Sequence, residues 1–183
     1  MNPLLVANWK MNPPTLAKAE ALLRSYVLPT KARATVVVCP PAAFLFSLGK
    51  IKKTQSKLKK IMFGAQDVGP ANDGAFTGEL SPSILKDVGV SYVIVGHSER
   101  RSAGETNERI NEKVRVALSA SLSVLLCVGE AERTHDGAEL SVIKEQIDAA
   151  LDGVPKTQLS RLTICYEPVW AIGTGNPASA GEA

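Results

Sequence analysis

Three side chains able to take part in catalysis each follow a run of apolar, β-prone residues. Lys10, His97 and Glu167 come just after the first, fourth and sixth such runs. A carboxylate can abstract a proton, a neutral imidazole can donate to a carbonyl oxygen, and a lysine can neutralise an anionic substrate. Each residue alone could equally be structural or lie on the surface. The case for a site therefore depends on whether the fold brings them together.

The segment after Glu167 has the composition of a lid. Pro168 cannot continue a strand ladder and biases Glu167 toward an extended backbone, so the carboxylate is expected at the end of a sheet. Residues 169–172 are apolar and rigid, and residues 173–175 are Gly-Thr-Gly, which is conformationally loose. A stiff tip between two hinges is typical of a loop that closes as one body. A carboxylate under such a lid favours proton-transfer chemistry.

Six short β-prone runs recur along the chain, with helix-like segments between them. The apolar residues in these runs are continuous rather than alternating, which is typical of strands covered on both faces in a parallel sheet. Repeated βα units of this kind build either an open doubly wound sheet or a (β/α) barrel. The predicted strands are Leu4–Ala7, Thr35–Cys39, Ile61–Ala65, Tyr92–Gly96, Ser123–Val128 and Leu162–Tyr166.

The polar residues favour the barrel over the doubly wound sheet. They cluster after the predicted strands rather than before them, as in the active sites of (β/α) barrels. No G-x-G-x-x-G follows the first strand, which argues against a dinucleotide-binding fold. A complete barrel has eight units and about 250 residues. We therefore expect a single partial barrel domain over residues 1–183, with six parallel strands and without units seven and eight.

Composition points to a cytoplasmic protein without a membrane or nucleic-acid partner. The chain has 45% hydrophobic residues and a net charge of +3, with no apolar run long enough to span a membrane and no signal-peptide pattern. The lysine-rich stretch 50–60 has no interleaved aromatics, which favours a solvated surface. Cys39, Cys127 and Cys165 lie in β-prone runs at no metal-ligand spacing. We read them as reduced thiols of a protein that needs no metal or cofactor.

Four segments resemble signature segments of the triosephosphate isomerase family. They occur in the family's order and spacing, and the resemblance covers nearly all of the chain. It implies an incomplete TIM-type (β/α) barrel and an intramolecular aldose–ketose isomerase. The implied reaction interconverts dihydroxyacetone phosphate and D-glyceraldehyde 3-phosphate through an enediol. The segments are residues 7–12, 74–79, 96–101 and 166–175.

The resemblance also implies roles for individual residues in catalysis. Glu167 would be the base that moves a proton between C1 and C2 of the substrate. His97 would be the neutral electrophile that polarises the carbonyl group. Lys10 and Asn8 would bind substrate and stabilise the charge of the enediolate and the phosphate.

Further residues are implied to bind substrate or a second subunit. Ser98 would hold the catalytic glutamate while the lid is open, and Gly173 would donate its backbone N–H to the phosphate. The segment from Gln66 to Glu79 resembles the family's dimer loop, with Thr77 reaching into the neighbouring site. Glu79 would pair with Arg100 across that interface.

Three interpretations of the sequence stay open. The first is a homo-oligomeric isomerase of reduced efficiency, because the units that supply phosphate-binding N–H groups are absent. The second is a catalytically inactive truncated homologue that acts as an oligomeric or anion-binding protein. The third is the product of an incomplete gene, with no function of its own. Unpaired edges on the first and sixth strands favour a dimer or larger assembly in each case.

Overall fold

The computed structural model describes residues 3–29, 33–133, 138–175 and 178–179. At least one helix lies between each pair of successive strands, as the sequence predicts. The strands are β1 Leu4–Asn8, β2 Thr35–Cys39, β3 Ile61–Ala65, β4 Val90–Val95, β5 Ser123–Val128 and β6 Leu162–Tyr166. The helices are α1 Leu16–Ser25, α2 Ala42–Thr54, α3 Pro82–Asp87, α4 Ser98–Ser102, α5 Asn107–Ser119 and α6 Ala138–Leu151.

The six strands belong to one sheet in the order β1-β2-β3-β4-β5-β6. The pairs β1–β2, β2–β3, β3–β4 and β5–β6 are parallel. A strand order that follows the chain order is that of a (β/α) barrel, whereas a doubly wound sheet reverses its order at a switch point. The prediction of an incomplete TIM-type (β/α) fold with six parallel strands is confirmed. β1 and β6 stand at the two ends of the strand order.

The chain divides into two compact units, one up to Val93 and one from Ile94 onward. They are described separately below, and β4 contributes residues to both. The expectation of a single domain over residues 1–183 stays a prediction. No helix among the described residues is long and apolar enough to cross a membrane.

The first unit contains β1, β2, β3 and most of β4, with helices α1 to α3. β1 and β2 pair from Leu4 opposite Thr35 through to the last residues of both strands. The strands are rich in β-branched residues, and Val37, Val38 and Phe63 are almost fully buried. α2 buries Leu45, Leu48 and Ile51 on one face. The hydroxyl of Thr15 accepts from an amide of the first turn of α1, which satisfies an otherwise unpaired helix donor.

The second unit contains the end of β4, then β5, β6 and helices α4 to α6. β5 and β6 are paired in register from Val124 opposite Leu162 to Val128 opposite Tyr166. β5 is buried throughout except at its first residue. α5 buries the residues that helical periodicity places on one face, Ile110, Val114, Ala117 and Leu118.

A buried ion pair fixes the connection between α4 and α5. Lys113 Nζ lies 2.5 Å from Glu105 Oε1, and both side chains are almost fully buried. Arg100 Nε donates to the same oxygen at 3.2 Å. Burial alone would raise the pKa of the Glu105 carboxyl, but the hydrogen bonds and charges of Lys113 and Arg100 outweigh it and lower that pKa. The pair ties α5 to the loop that follows α4.

Candidate active site

The backbone of Glu167 is tightly packed at the end of β6. Its amide donates to Val128 O at 2.8 Å, which extends the β5–β6 ladder by one residue. Gly129 lies so close that a Cβ built on it would be 1.9 Å from the carbonyl oxygen of Glu167. Only glycine allows this approach of two backbones. The base is therefore positioned by its main chain as well as by its side chain.

The carboxylate of Glu167 is held by two donors from the start of α4. His97 Nε2 lies 3.0 Å from Oε1, and the backbone N–H of Ser98 donates to Oε2 at 2.9 Å. Both His97 and Glu167 are largely buried, and Ser98 is buried. The structure thus brings three predicted site residues together, although Glu167 lies about seventy positions after the other two in the sequence.

The hydrogen bonds of His97 define its tautomer. His97 caps the N-terminus of α4, and its Nδ1 accepts from the backbone N–H of Glu99 at 3.2 Å. The Glu99 carboxylate is 3.7 Å from the same nitrogen, which is too far for a hydrogen bond. A nitrogen that accepts carries no proton, so the ring is neutral with its proton on Nε2. That proton points to the Glu167 carboxylate.

Arg101 supports the turn that carries His97. Its Nε donates to Gly96 O at 2.8 Å and its Nη2 to Cys127 O at 3.2 Å. Gly96 has a φ of +73°, which favours glycine. Burial lowers the pKa of the Arg101 guanidinium, while the nearby carboxylates raise it. Arg101 thus connects the end of β4 to the end of β5.

Glu130 anchors the first part of the lid. This carboxylate is 2% exposed, and its Oε1 accepts from Trp170 Nε1 and from Tyr166 OH, each at 2.8 Å. Arg133 adds a longer contact at 3.4 Å. Burial raises the pKa of the Tyr166 hydroxyl, and its hydrogen bond to Glu130 raises it further. The 3₁₀ turn Val169–Ala171 is held to the loop after β5 by these bonds.

A cavity of about 300 Å³ adjoins Glu167 within the second unit. Ser98, Arg101, Val169 and Gln146 contribute to its lining. The side-chain amide of Gln146, in α6, makes two hydrogen bonds to the backbone of Gly129 in the loop after β5. It accepts from the N–H of Gly129 at 2.9 Å and donates to the C=O of the same residue at 3.0 Å. It therefore fixes the loop against which the Glu167 backbone packs.

In the first unit, Asn8, Lys10 and Gln66 form a second cluster of predicted site residues. Lys10 has a φ of +52°, an uncommon conformation for a residue other than glycine. Asn8 Oδ1 accepts from Lys10 N at 2.9 Å. Gln66 Nε2 donates to Lys10 O at 2.8 Å and to Cys39 O at 2.9 Å. These bonds hold the strained backbone, which is a common feature of functional sites.

The remaining predicted residues lie on loops or at the start of a helix. Thr77 is exposed and Glu79 is partly buried in the segment before α3. Gly173 follows the 3₁₀ turn of the lid with a φ of +76°. Arg100 is paired within the chain to Glu105. The predicted roles of these residues in phosphate binding and at a subunit interface stay predictions.

Sequence reasoning gave no role to three residues that shape the site. Glu130 carried a detectable signal, because it is a polar residue directly after a strand. Gly129 and Gln146 carried no detectable signal, because their roles depend on contacts with residues that are distant in the sequence. Among the described residues, no group of three or more His, Cys, Asp or Glu could hold a metal ion.

The geometry of the second unit defines a class of protein. A carboxylate and a neutral imidazole lie in contact at the carboxyl ends of β6 and β4. A neutral Nε2–H donor next to a carboxylate base is suited to moving protons on a carbonyl compound. The chain is thus a (β/α)-type enzyme equipped for proton transfer.

Comparisons with known proteins give the family. The family model described as Triosephosphate isomerase matches residues 3–183. The triosephosphate isomerase of Thermoanaerobacter pseudethanolicus is 42% identical over 184 residues, which are 99% of this chain and 72% of that relative. Those of Roseiflexus sp. and Roseiflexus castenholzii are 43% and 44% identical over 185 residues, covering 99% of this chain and 71% of each relative. The chain belongs to the triosephosphate isomerase family and is therefore an isomerase by family.

Proposed function

We propose that the chain interconverts dihydroxyacetone phosphate and D-glyceraldehyde 3-phosphate, with Glu167 as the base and His97 as the electrophile. The observation that carries this proposal is the contact between Glu167 Oε1 and the protonated Nε2 of His97 at 3.0 Å. An aldose–ketose isomerisation needs a base that takes a proton from carbon and a donor to the oxygen on the adjacent carbon. This contact places such a base and such a donor side by side. The relatives' names supply the triose phosphate substrate.

The reaction needs only proton transfers. Glu167 removes a proton from C1 of dihydroxyacetone phosphate, while His97 gives a proton to the C2 oxygen and recovers one from the C1 oxygen. The enediolate that remains takes the proton of Glu167 at C2, which yields the aldehyde. The donors on Glu167 in the structure must be released first, because His97 Nε2 and Ser98 N occupy both carboxylate oxygens. Substrate binding therefore has to rotate the carboxylate toward carbon.

Lys10 and Asn8 supply the electrostatic part of the proposal. The ammonium group of Lys10 offsets the charge of the phosphate and the enediolate, since opposite charge is strongly favourable where water is excluded. Asn8 acts by holding the Lys10 backbone through its hydrogen bond of 2.9 Å. Gly173 donates its backbone N–H to the phosphate when the lid closes.

We also propose that the chain is a homo-oligomer. β1 and β6 end the strand order, and Leu5 on β1 and Ile164 on β6 are 58% and 42% exposed. Strand edges with exposed apolar side chains promote pairing with another chain. A second copy supplies such a surface most readily, and the loop with Thr77 and Glu79 lies in this interface. Multi-angle light scattering is expected to give a dimer or larger species, and a stable monomer at micromolar concentration would contradict it.

The cytoplasm is the proposed location. Cys39, Cys127 and Cys165 form no disulfide. Free cysteines persist in reducing compartments. Fractionation of the source cell with an antibody to the chain would test this, and recovery outside the cytoplasm would contradict it.

The catalytic assignment is tested with Glu167→Gln in a coupled assay for glyceraldehyde 3-phosphate turnover. The amide keeps the size of the side chain and removes the base, so kcat should fall by about 10²–10⁴-fold. Ser98→Ala is the matched control, because the contact to Glu167 uses the backbone N–H and survives the change. Equal activity of Glu167→Gln and wild type would overturn the assignment and point to a contaminating host isomerase or to a chain without catalysis.

A further inference from the structure

Two cysteines lie side by side on β5 and β6. Cys127 and Cys165 are direct partners in the parallel register of the two strands. Partners on neighbouring strands project from the same face of a sheet, and each thiol shifts the pKa of the other. Both are free thiols. Neither has a part in the proton transfers described above.

The two thiols are chemically unequal. Cys127 is 5% exposed, whereas Cys165 is partly exposed. The neighbouring Cys165 thiol, together with burial, raises the pKa of Cys127, while the Cys127 thiol lowers the pKa of Cys165. Reactive cysteine pairs usually combine a partly exposed thiol of lowered pKa with a second thiol beside it.

We propose that Cys127 and Cys165 form a dithiol binding site for a single trivalent arsenic centre, taken up as an organoarsenical oxide. Soft thiolate sulfur selects soft, thiophilic elements. In the binding step the arsenic atom forms two As–S bonds and loses its oxygen. That oxygen leaves as water with the two thiol protons, so nothing is oxidised or reduced.

The arsenic bridge differs from a disulfide in its chemistry. Neighbouring strands lie about 4.7–4.9 Å apart, and one atom inserted between the two sulfurs can span side chains on such strands while β5 and β6 keep their register. A disulfide between the same residues needs a two-electron oxidant, whereas the arsenic bridge forms without one.

The bound arsenic would lie beside the base. Cys165 is two residues before Glu167, so both side chains project from the same face of the strand. The negative charge of Glu167 also acts on both thiols. We therefore expect occupation of the dithiol to inhibit isomerisation. This consequence rests on the proposed function, whereas binding itself does not.

Binding is tested with phenylarsine oxide on the 183-residue chain. Native mass spectrometry should show one arsenic per chain, and thiol titration should show two thiols lost for each arsenic bound. A competing small dithiol should restore both. Loss of a single thiol per arsenic, or more than one arsenic per chain at saturation, would overturn the proposal. These measurements use the wild-type chain and do not depend on any variant folding.

Single substitutions locate the site. Cys127→Ser and Cys165→Ser should each weaken binding by about 10²–10⁴-fold, because the second As–S bond forms at a high effective concentration. Cys39→Ser is the matched control, since this buried thiol lies in the other unit, and its affinity should equal that of the wild type. Unchanged affinity in either of the first two variants, or a large loss in the control, would contradict the assignment.

Isomerase activity is measured in parallel. In the wild-type chain we expect inhibition in proportion to the arsenic bound. In Cys165→Ser we expect no such inhibition. Arsenic bound at full stoichiometry with an unchanged rate would refute the inhibitory consequence. A chain that binds arsenic but shows no isomerase activity before treatment would refute the proposed function and support the dithiol site.

Discussion

Gly129→Ala should disable the base without changing any side chain of the catalytic residues. The new Cβ would lie 1.9 Å from the carbonyl oxygen of Glu167, whereas real Cβ contacts essentially never fall below 3.0 Å. Raising 1.9 Å to 3.0 Å requires the two backbones to separate by about 1.1 Å. A misplacement of about 1 Å can cost about 100-fold in rate. We therefore expect kcat/KM to fall by about 100-fold, mainly through kcat.

The assay is steady-state turnover of glyceraldehyde 3-phosphate, with the melting temperature measured on the same samples. Overpacking of this kind also costs about 1–3 kcal/mol of stability, so activity is compared well below the melting transition. Gly49→Ala in α2 is the control, because its new Cβ would meet no heavy atom closer than 3.4 Å. Wild-type kcat in Gly129→Ala would refute the claim that this close approach positions the base.

Three further changes have clear expected outcomes. Gln146→Leu removes two hydrogen bonds to the loop after β5. Each is worth about 0.5–1.5 kcal/mol, so urea titration should show that the free energy of unfolding falls by about 1–3 kcal/mol. Lys113→Met removes the ammonium group that pairs with the buried Glu105 carboxylate and should lower the free energy of unfolding by about 3–5 kcal/mol at pH 7. Because the folded-state pKa of Glu105 is lowered, its contribution is present above the unfolded pKa of about 4.3. It is lost as the pH falls through the folded pKa, so wild type and Lys113→Met should converge in acid; a constant difference would contradict this. Trp170→Phe removes one donor to buried Glu130 and should speed amide hydrogen exchange over residues 169–175; unchanged exchange would show that the bond does not hold the lid.

The sequence predicts the strands well because each one is a continuous apolar run. Five of the six begin at the predicted residue, and β4 begins two residues early, at Val90. The helical segment between β4 and β5 is divided into two helices, because α4 ends at Ser102 and α5 begins only at Asn107. Gly104 has a φ of +96°, so the helical backbone conformation does not continue after α4. Thr106 then caps α5 through its side chain.

The site is predictable only where position along a strand decides it. Glu167 and His97 were found because both follow strands, and parallel strands end at the same edge of a sheet. The acceptor role of His97 Nδ1 depends on the amide of Glu99, which no pattern of residue types indicates. The same holds for the hydrogen bonds of Gln146, which join residues 17 positions apart. Long-range side-chain geometry is fixed by packing and not by local sequence.

The most direct test of the account is isomerisation of dihydroxyacetone phosphate in D₂O by the wild-type chain and by Glu167→Gln, both purified from a host without its own triosephosphate isomerase. A carboxylic acid at Glu167 exchanges its proton with solvent before returning it to carbon. We therefore expect the wild-type product to carry deuterium at C2, and Glu167→Gln to lose both turnover and deuterium incorporation. Product without solvent deuterium, or full turnover in Glu167→Gln, would contradict the assignment of Glu167 as the base.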